Sequence, residues 1–432
     1  MVELPEIFTD YTRQLMGDEH FERYLKAFEE DAPVSIRLNP KKAQGLTVID
    51  GERIPWCDNG YYLKRRPVFT FDPLLHAGCY YVQEAASMFI CHVLQQFIEK
   101  PVTMLDLCAA PGGKSTAAIA TLPAGSTLYS NEPIRNRFNI LSENVQKWGY
   151  ENHIVTNQYP RDYRKAKMKF DVILCDVPCS GEGMFRKDEA TIREWSPQNV
   201  EKCWRLQREI VSDAWACLND GGLFIYSTCT FNTKENEENI RWMLEEFDAE
   251  VLSVDVKPEW NITSSLLGGF NEPVYRFIPG ISRGEGLFLC VLKKGLQHTA
   301  DLPQQCSKPS TEALCNIYRK AVKHPQQGCK ASTGKLCNIY SNTVKHLQED
   351  CRNQQQSVQC ELTYYQAISY LCGEALTLPE NTPHGEITVT FQGHPLGMVK
   401  NIGTRANNLY PKAWRIKTTH IPTEYEAILR HT

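Results

Sequence analysis

At 432 residues the chain is long enough for two or three domains with substantial cores. Its 42% hydrophobic and 23% charged residues suit a globular protein, and no run approaches the roughly 18 apolar residues of a membrane span. The formal charge of −4 argues against a protein that coats nucleic acid nonspecifically but leaves room for a local basic groove. The start, MVELPEIFTDYTRQLMG, lacks the basic-then-apolar pattern of a secretion signal, so the 17 cysteines are expected as reduced thiols of a cytoplasmic protein.

The first hundred residues open with a helical pattern, since Phe21, Tyr24, Leu25 and Phe28 recur at three- and four-residue spacing. Ser35 to Leu38 reads as a short strand ending before Pro40. Trp56, Tyr61, Tyr62, Phe69 and Phe71 are interspersed with Lys64, Arg65 and Arg66, a mixture that can stack bases and hold phosphates. Such aromatics more often belong to a core, with the charges on a solvated face. Tyr81 opens a predicted helix running to about Ile98.

From Val102 the period changes. Thr103 to Cys108 forms a short buried strand, followed by Ala109-Ala110-Pro111-Gly112-Gly113-Lys114 and a helix through Ala120. Strand, glycine-rich turn and helix make a nucleotide-type binding unit, because glycines admit close backbone approach and a helix start offers free N–H groups. Neither Gly-x-x-x-x-Gly-Lys-Ser nor Gly-x-Gly-x-x-Gly is present. Asp106, on the strand before the turn, suits a ligand carrying an ammonium, such as S-adenosylmethionine, better than a pyrophosphate.

The second strand ends at Asn131-Glu132, where this architecture places a carboxylate for a ribose diol. The third runs from His153 to Thr156 and ends at Asn157. The fourth climbs from Val172 to Asp176, and Pro178-Cys179-Ser180-Gly181-Glu182-Gly183 follows as a loop too glycine-rich to continue it. The fifth, Gly222 to Cys229, ends in a second thiol. A helix from Lys234 through Phe247 carries Glu237, Glu238 and Glu245 and reads as a solvated face; Arg276-Phe277 and Gly286 to Val291 read as closing antiparallel strands. This alternation predicts a doubly wound α/β sheet.

Between Lys293 and Gln359 the composition shifts to Gln, Ser, Lys and Cys, and Leu314-Cys315-Asn316-Ile317-Tyr318 recurs as Leu336-Cys337-Asn338-Ile339-Tyr340. His324 and Cys329 recur as His346 and Cys351, but without a Cys-x-x-Cys pair a duplicated linker is favoured over a metal site, and no metal is expected. The tail opens with a helix (Tyr364, Ile368, Leu371), continues in short strands, and mixes aromatics with bases in NNLYPKAWRI, a composition suited to a small RNA-binding module.

Cys179 and Cys229 lie at the carboxyl ends of two strands read as adjacent, so both reach the crevice of the cofactor loop. Two thiols beside a methyl donor suit methylation of a pyrimidine at C5. That carbon is too weak a nucleophile until a thiolate adds at C6, after which elimination releases the product. A Pro-Pro-Tyr-like stack, which an amino-methylating enzyme would want, is absent after Asp176.

LDLCAAPGGKS, DVPCSGEGMFRK and STCTFNTKENEENI resemble the cofactor loop, Pro-Cys motif and Thr-Cys motif of the Sun-type (NOL/NOP/Sun) RNA cytosine-5 methyltransferases. GEGMFRK and NNLYPKAWRI resemble their bacterial RsmF-like subgroup, which modifies small-subunit ribosomal RNA. The resemblance implies a Rossmann-like S-adenosylmethionine-dependent methyltransferase sheet at 101–295, behind an N-terminal α+β, RNA-contacting segment at 1–100. A repeat-containing linker at 296–358 and a PUA-like RNA-binding module at 359–432 would complete the chain. It implies Cys229 as the nucleophile on C6 and Cys179 as the thiol aiding release. Asp176 would contact the base or the methyl donor, with Lys114 close to both. Cys108, Ala109, Ala110, Pro111, Gly112, Gly113, Lys114, Glu132 and Asp176 would bind S-adenosylmethionine. Two departures stand out: Asn157-Gln158-Tyr159 replaces the usual acidic residue after the third strand, and Val177 replaces a small alanine. The expected partner is ribosomal RNA or the small subunit, with no membrane and no DNA, for a monomer. A flipped base would stack on an aromatic or be held by Phe185 and Arg186 beside the loop. The competing expectations are the same chemistry on transfer RNA, a non-catalytic ribosome-assembly factor and, remotely, a dinucleotide-dependent oxidoreductase.

Overall fold

The structure is a computed structural model that describes residues 3–296, 358–417, 422 and 424–432. Two helices, Glu6–Met16 and Asp18–Lys26, lead into β1 (Val34–Leu38), β2 (Leu46–Val48), β3 (Glu52–Arg53), β4 (Gly60–Leu63) and β5 (Tyr80–Val82). Four of these form a sheet in the order β3-β4-β1-β5. The central sheet comprises β6 (Thr103–Asp106), β7 (Thr127–Asn131), β8 (His153–Thr156), β9 (Phe170–Asp176), β10 (Leu218–Thr228), β11 (Ala249–Leu252), β12 (Tyr275–Phe277) and β13 (Leu287–Lys294). Its order is β11-β13-β10-β9-β6-β7-β8. The five strands β8 to β10 of that order run parallel, whereas β13 is antiparallel to β10. β12 and β11 pair with successive halves of β13, covering Leu287–Leu289 and Val291–Lys294.

The innermost parallel strands are buried on both faces, so they read as apolar runs; in β9 all of Val172 to Cys175 is buried. The chain goes from β6 outward through β7 to β8, then returns to the other side of β6 as β9. The crevice between β6 and β9 is therefore the topological switch point, where an open α/β sheet binds its ligand.

The C-terminal module contains β14 (Gln359–Glu361), a helix Tyr364–Cys372, β15 (Gly385–Phe391), β16 (His394–Asn401), β17 (Ala406–Asn408) and β18 (Leu429–His431). Thr363 and Gln366 form a reciprocal capping box that starts the helix. β18 pairs with β2 of the N-terminal region. Ile36, Leu38 and Leu74 share one apolar cluster with Ile368, Leu371, Val389 and Val399. The two ends of the chain thus pack as one body beside the central sheet.

Two expectations about elements are corrected, and the favoured core reading of the N-terminal aromatics holds for Trp56 and Tyr62. Tyr80–Val82 is a strand paired with β1, and the following helix spans only Phe89–Phe97. The Glu84 carboxylate accepts from the Ala86 and Ser87 N–H groups at 3.0 Å, so it caps the turn that delays the helix. The acidic helix, Glu237–Glu246, is not simply a solvated face, because Glu237 is buried against Arg276. Trp56 and Tyr62 are core residues, while Lys64 and Arg65 make exposed pairs with Asp50 and Glu426. The tandem repeat falls outside the described residues. Among the described residues no helix is long and apolar enough to cross a membrane, and no cluster of three His, Cys, Asp or Glu could hold a metal ion.

Candidate active site

Strands β9 and β10 pair in parallel register with Asp176 opposite Ser227, so the segments that follow them emerge side by side. Cys179 and Cys229 meet there with their sulfurs 3.2 Å apart, and the Cys229 N–H points at the Cys179 sulfur at 3.4 Å. The hydrogen bond to Cys229, followed by burial, pushes the Cys179 thiol well above its ordinary pKa. The Cys179 thiol therefore keeps its proton at neutral pH.

Asp176 is anchored from both sides. Ser227 Oγ donates to Oδ1 at 2.6 Å and Lys114 Nζ to Oδ2 at 2.8 Å. Burial works against the Lys114 charge, but Asp176 more than offsets it, and the ammonium stays protonated. This ion pair joins the cofactor loop to the strand that carries the Pro-Cys motif.

The loop Leu107–Gly112 leaves β6, and Gly112 adopts φ 111° at the cap of the helix Gly113–Thr121. That left-handed conformation is one a side chain would strain. The Ala109 N–H donates to the Asn131 carbonyl at 2.8 Å, and Arg137 and Asn144 donate to the Ala110 and Pro111 carbonyls. A cavity of about 190 Å³ lies over this loop, bounded by Asp106, Cys108, Lys114 and Asp176, with Tyr81 and Glu84 opposite.

Arg37 braces the same loop from β1. Its guanidinium donates to Gln83 Oε1 at 2.8 Å, Thr116 Oγ1 at 2.7 Å and the Gly113 carbonyl at 3.3 Å, and it lies 4.5 Å from the Trp148 ring centroid. The N-terminal region is thereby bound to the start of the cofactor helix.

Two buried carboxylates hold the thiol-bearing loops. Glu182 accepts from Trp195 Nε1, from Asn232 Nδ2 and from the Phe231 and Asn232 N–H groups. Glu235 accepts from the Ser180 N–H, Gln207 Nε2 and Asn232 Nδ2. Burial pushes the Glu235 carboxyl up to about 7. Gly183 packs so closely against Gly286 and the Cys229 carbonyl that a Cβ would sit 2.6 and 2.7 Å from them.

Two buried acceptors near the cofactor loop make no hydrogen bond. Asp106 Oδ2 accepts from Ser115 Oγ at 2.6 Å, but Oδ1 has none; Glu132 Oε1 accepts from the Ile134 N–H at 2.9 Å, but Oε2 has no hydrogen bond. Arg137 stands 3.4 Å from that second Glu132 oxygen. Burial pushes the Asp106 carboxyl up to about 7 from 3.8. Folding thus raises its affinity for a proton, so this carboxyl's contribution to the stability of the ligand-free protein declines as pH climbs from about 3.8 to about 7, and the decline levels off above. Its steepest slope is about 1.4 kcal/mol per pH unit. Asp106→Asn is expected to raise the melting temperature more at pH 8 than at pH 5, and to reduce the stabilisation by added S-adenosylmethionine. Equal shifts at both pH values would remove the ionised carboxylate from this account.

Matches to known families follow this geometry. Residues 4–85 match the N-terminal domain of 16S rRNA methyltransferase RsmF, residues 96–293 match 16S rRNA methyltransferase RsmB/F, and residues 357–416 match the methyltransferase RsmF PUA domain. The chain belongs to the RsmF branch of the Sun-type methyltransferase family. A ribosomal RNA small subunit methyltransferase F from Erwinia tasmaniensis is 31% identical over 67% of this chain, which spans 63% of that protein's length. Its counterpart from Klebsiella pneumoniae is 28% identical over 95% of this chain and 96% of its own. A crystal structure of a methyltransferase homologue from Pyrococcus horikoshii superposes with a TM-score of 0.57 at 27% identity, covering 68% of this chain and 96% of that one.

The residues expected of a Sun-type site fall around one cleft. Cys179, Cys229, Asp176, Lys114 and the Cys108–Lys114 loop converge at the switch point, and Glu132 lies buried one strand away. Phe185 and Arg186 do not serve as the base holders expected of them. Phe185 is 1% exposed, edge-on to Phe8 at 5.0 Å, and Arg186 is spent on an ion pair with Glu285 at 3.2 Å. Asn157 donates to the Glu132 and Pro133 carbonyls, so it fixes the backbone that carries Glu132. Glu182, Glu235 and Arg37 join the site only in the folded chain. A charged residue between two glycines, as in Gly-Glu-Gly, was the one available signal for Glu182.

Proposed function

We propose that the protein methylates C5 of a cytosine in small-subunit ribosomal RNA, using S-adenosylmethionine and a covalent adduct on Cys229. The observation that carries the reading is the thiol pair, 3.2 Å apart on adjacent strand ends beside the Lys114–Asp176 ion pair. Asp106 Oδ1, which has no hydrogen bond, fits the ammonium and Glu132 Oε2, paired only with Arg137, fits the ribose hydroxyls of S-adenosylmethionine, which supplies an electrophilic methyl group.

Cys229 adds as thiolate to C6 of the base, forming an S–C6 bond and making C5 nucleophilic. After C5 has gained a methyl, solvent takes the C5 proton, the C5–H electron pair re-forms the C5–C6 double bond, and the S–C6 bond breaks to return the thiolate to Cys229. Cys179, 3.2 Å from that sulfur, assists the elimination. The Asp176 carboxylate accepts from the exocyclic amine of cytosine, a donor that uracil lacks. The base must be unpaired or flipped to present its C6 face to Cys229.

The test is incubation with methyl-labelled S-adenosylmethionine and separate pools of small-subunit ribosomal RNA, assembled subunits and transfer RNA. Label recovered as 5-methylcytidine from ribosomal RNA or subunits is the expected result. Label only in transfer RNA would retain the chemistry and replace the substrate. RNA binding without transfer to any pool would favour an assembly factor.

A further inference from the structure

Most cysteines among the described residues are buried, and only Cys108, Cys179, Cys203, Cys229 and Cys372 reach solvent in part. Of these five, Cys179 and Cys229 face each other with their sulfurs 3.2 Å apart. Closing that gap to the roughly 2.05 Å of a disulfide takes a movement of about 1 Å, within the reach of side-chain rotation. The backbone beneath the pair suits a bridge. The Val177 N–H donates to the Ser227 carbonyl at 3.0 Å, so the two chains stay at strand spacing to within two residues of each cysteine. Neighbouring strands lie about 4.8 Å apart, inside the range of Cα separations that a disulfide spans. Cys57 and Cys91 form a second hydrogen-bonded thiol pair, but each is 4% exposed and out of an oxidant's reach.

We propose that Cys179 and Cys229 form an oxidation site, closed to a disulfide by hydrogen peroxide and reopened by thiols, that switches methyl transfer off and on; the switch rests on the roles proposed above for the two thiols. The Cys229 thiolate attacks one peroxide oxygen: an S–O bond forms, the O–O bond breaks, and the departing hydroxide takes a proton from solvent to become water. Cys179 then attacks the oxidised sulfur. The S–S bond forms as the S–O bond breaks, and the Cys179 proton leaves with the hydroxide as a second water. The two sulfurs give up two electrons and the peroxide gains them. Bridged to Cys179, Cys229 has no thiolate to add at C6. Cys179 thereby holds a second role, capturing oxidised Cys229 before more peroxide carries it to a sulfinic acid that thiols do not reduce.

The test treats the full chain with hydrogen peroxide, blocks the remaining thiols with an alkylating agent, and digests it with trypsin without reduction. The expected product joins residues 170–186 to residues 209–234, with fragmentation placing the link on Cys179 and Cys229. Methyl transfer should fall by about tenfold or more and return when dithiothreitol is added. Cys203→Ser should leave both results unchanged; Cys203 is the partly exposed thiol within electrostatic reach of Cys229 and so the rival partner. In Cys179→Ala, excess peroxide should abolish the RNA adduct beyond rescue by dithiothreitol, because no thiol captures Cys229. No link, a link on Cys203 in place of Cys179, or full rescue of Cys179→Ala overturns the proposal. The peptide map does not depend on activity. A Cys179–Cys229 link in a chain that, once reduced, transfers no methyl group keeps the oxidation site and rejects the methylation reading, whereas transfer without a link rejects the switch alone.

Discussion

Cys229→Ala is expected to lower methyl transfer by about four orders of magnitude or more, equivalent to about 5 kcal/mol of barrier. Without the thiolate no S–C6 bond forms, and C5 stays too weak a nucleophile. Cys179→Ala should behave differently: addition proceeds, elimination stalls, and an RNA–protein adduct survives denaturation. Both side chains lie at the mouth of the cleft, only partly buried, on loops held by Glu182 and Glu235, so neither change should unfold the protein. Gel electrophoresis under denaturing conditions, with labelled RNA and S-adenosylmethionine, separates the outcomes. An adduct in Cys229→Ala but not in Cys179→Ala would exchange the two roles, and no adduct in either would sink covalent catalysis by this pair.

The second large effect lies beside the thiols. Glu182 is 2% exposed and accepts from the Phe231 and Asn232 N–H groups at 2.7 and 2.9 Å, from Trp195 Nε1 at 3.0 Å and from Asn232 Nδ2 at 2.9 Å. Glu182→Ala leaves buried donors without acceptors, each worth about 1–3 kcal/mol. Partial repair by water and movement brings the expected loss to about 4 kcal/mol, read from urea unfolding. Glu182→Gln keeps the volume but presents an amide to backbone donors, and should lose about half as much. Both variants should also slow methyl transfer, because residues 230–232 follow Cys229 directly and the Gly183 N–H donates to the Cys229 carbonyl at 2.7 Å. An unfolding free energy within about 1 kcal/mol of wild type for Glu182→Ala would remove this carboxylate as the anchor.

The central sheet, the cofactor loop and the pair of thiols are legible in residue order, because their signals are local. A buried parallel strand is an apolar run, a strand-to-helix turn needs glycine at Gly112, and an acid or a thiol at a strand end stands out. Strand β11 left little trace, since Ala249–Leu252 lies on the sheet's edge and none of its residues is fully buried. Tyr80–Val82 looked helical because its partner β1 is some forty positions away in the chain, and pairing over that distance has no local signature. Tertiary structure alone decided which charges are inside. Glu182, Glu235 and Glu237 read as polar residues of a loop and a helix, yet each is buried because donors from distant segments meet it. Arg37 likewise acquires its role only when β1 is laid across the start of the cofactor helix. Phe185 shows the converse: a motif position beside a reactive loop became core because Phe8 and Trp195 pack around it from outside the motif. Chemistry concentrated at strand ends can be read from residue order, but the desolvated network that holds it in register depends on which segments fold together.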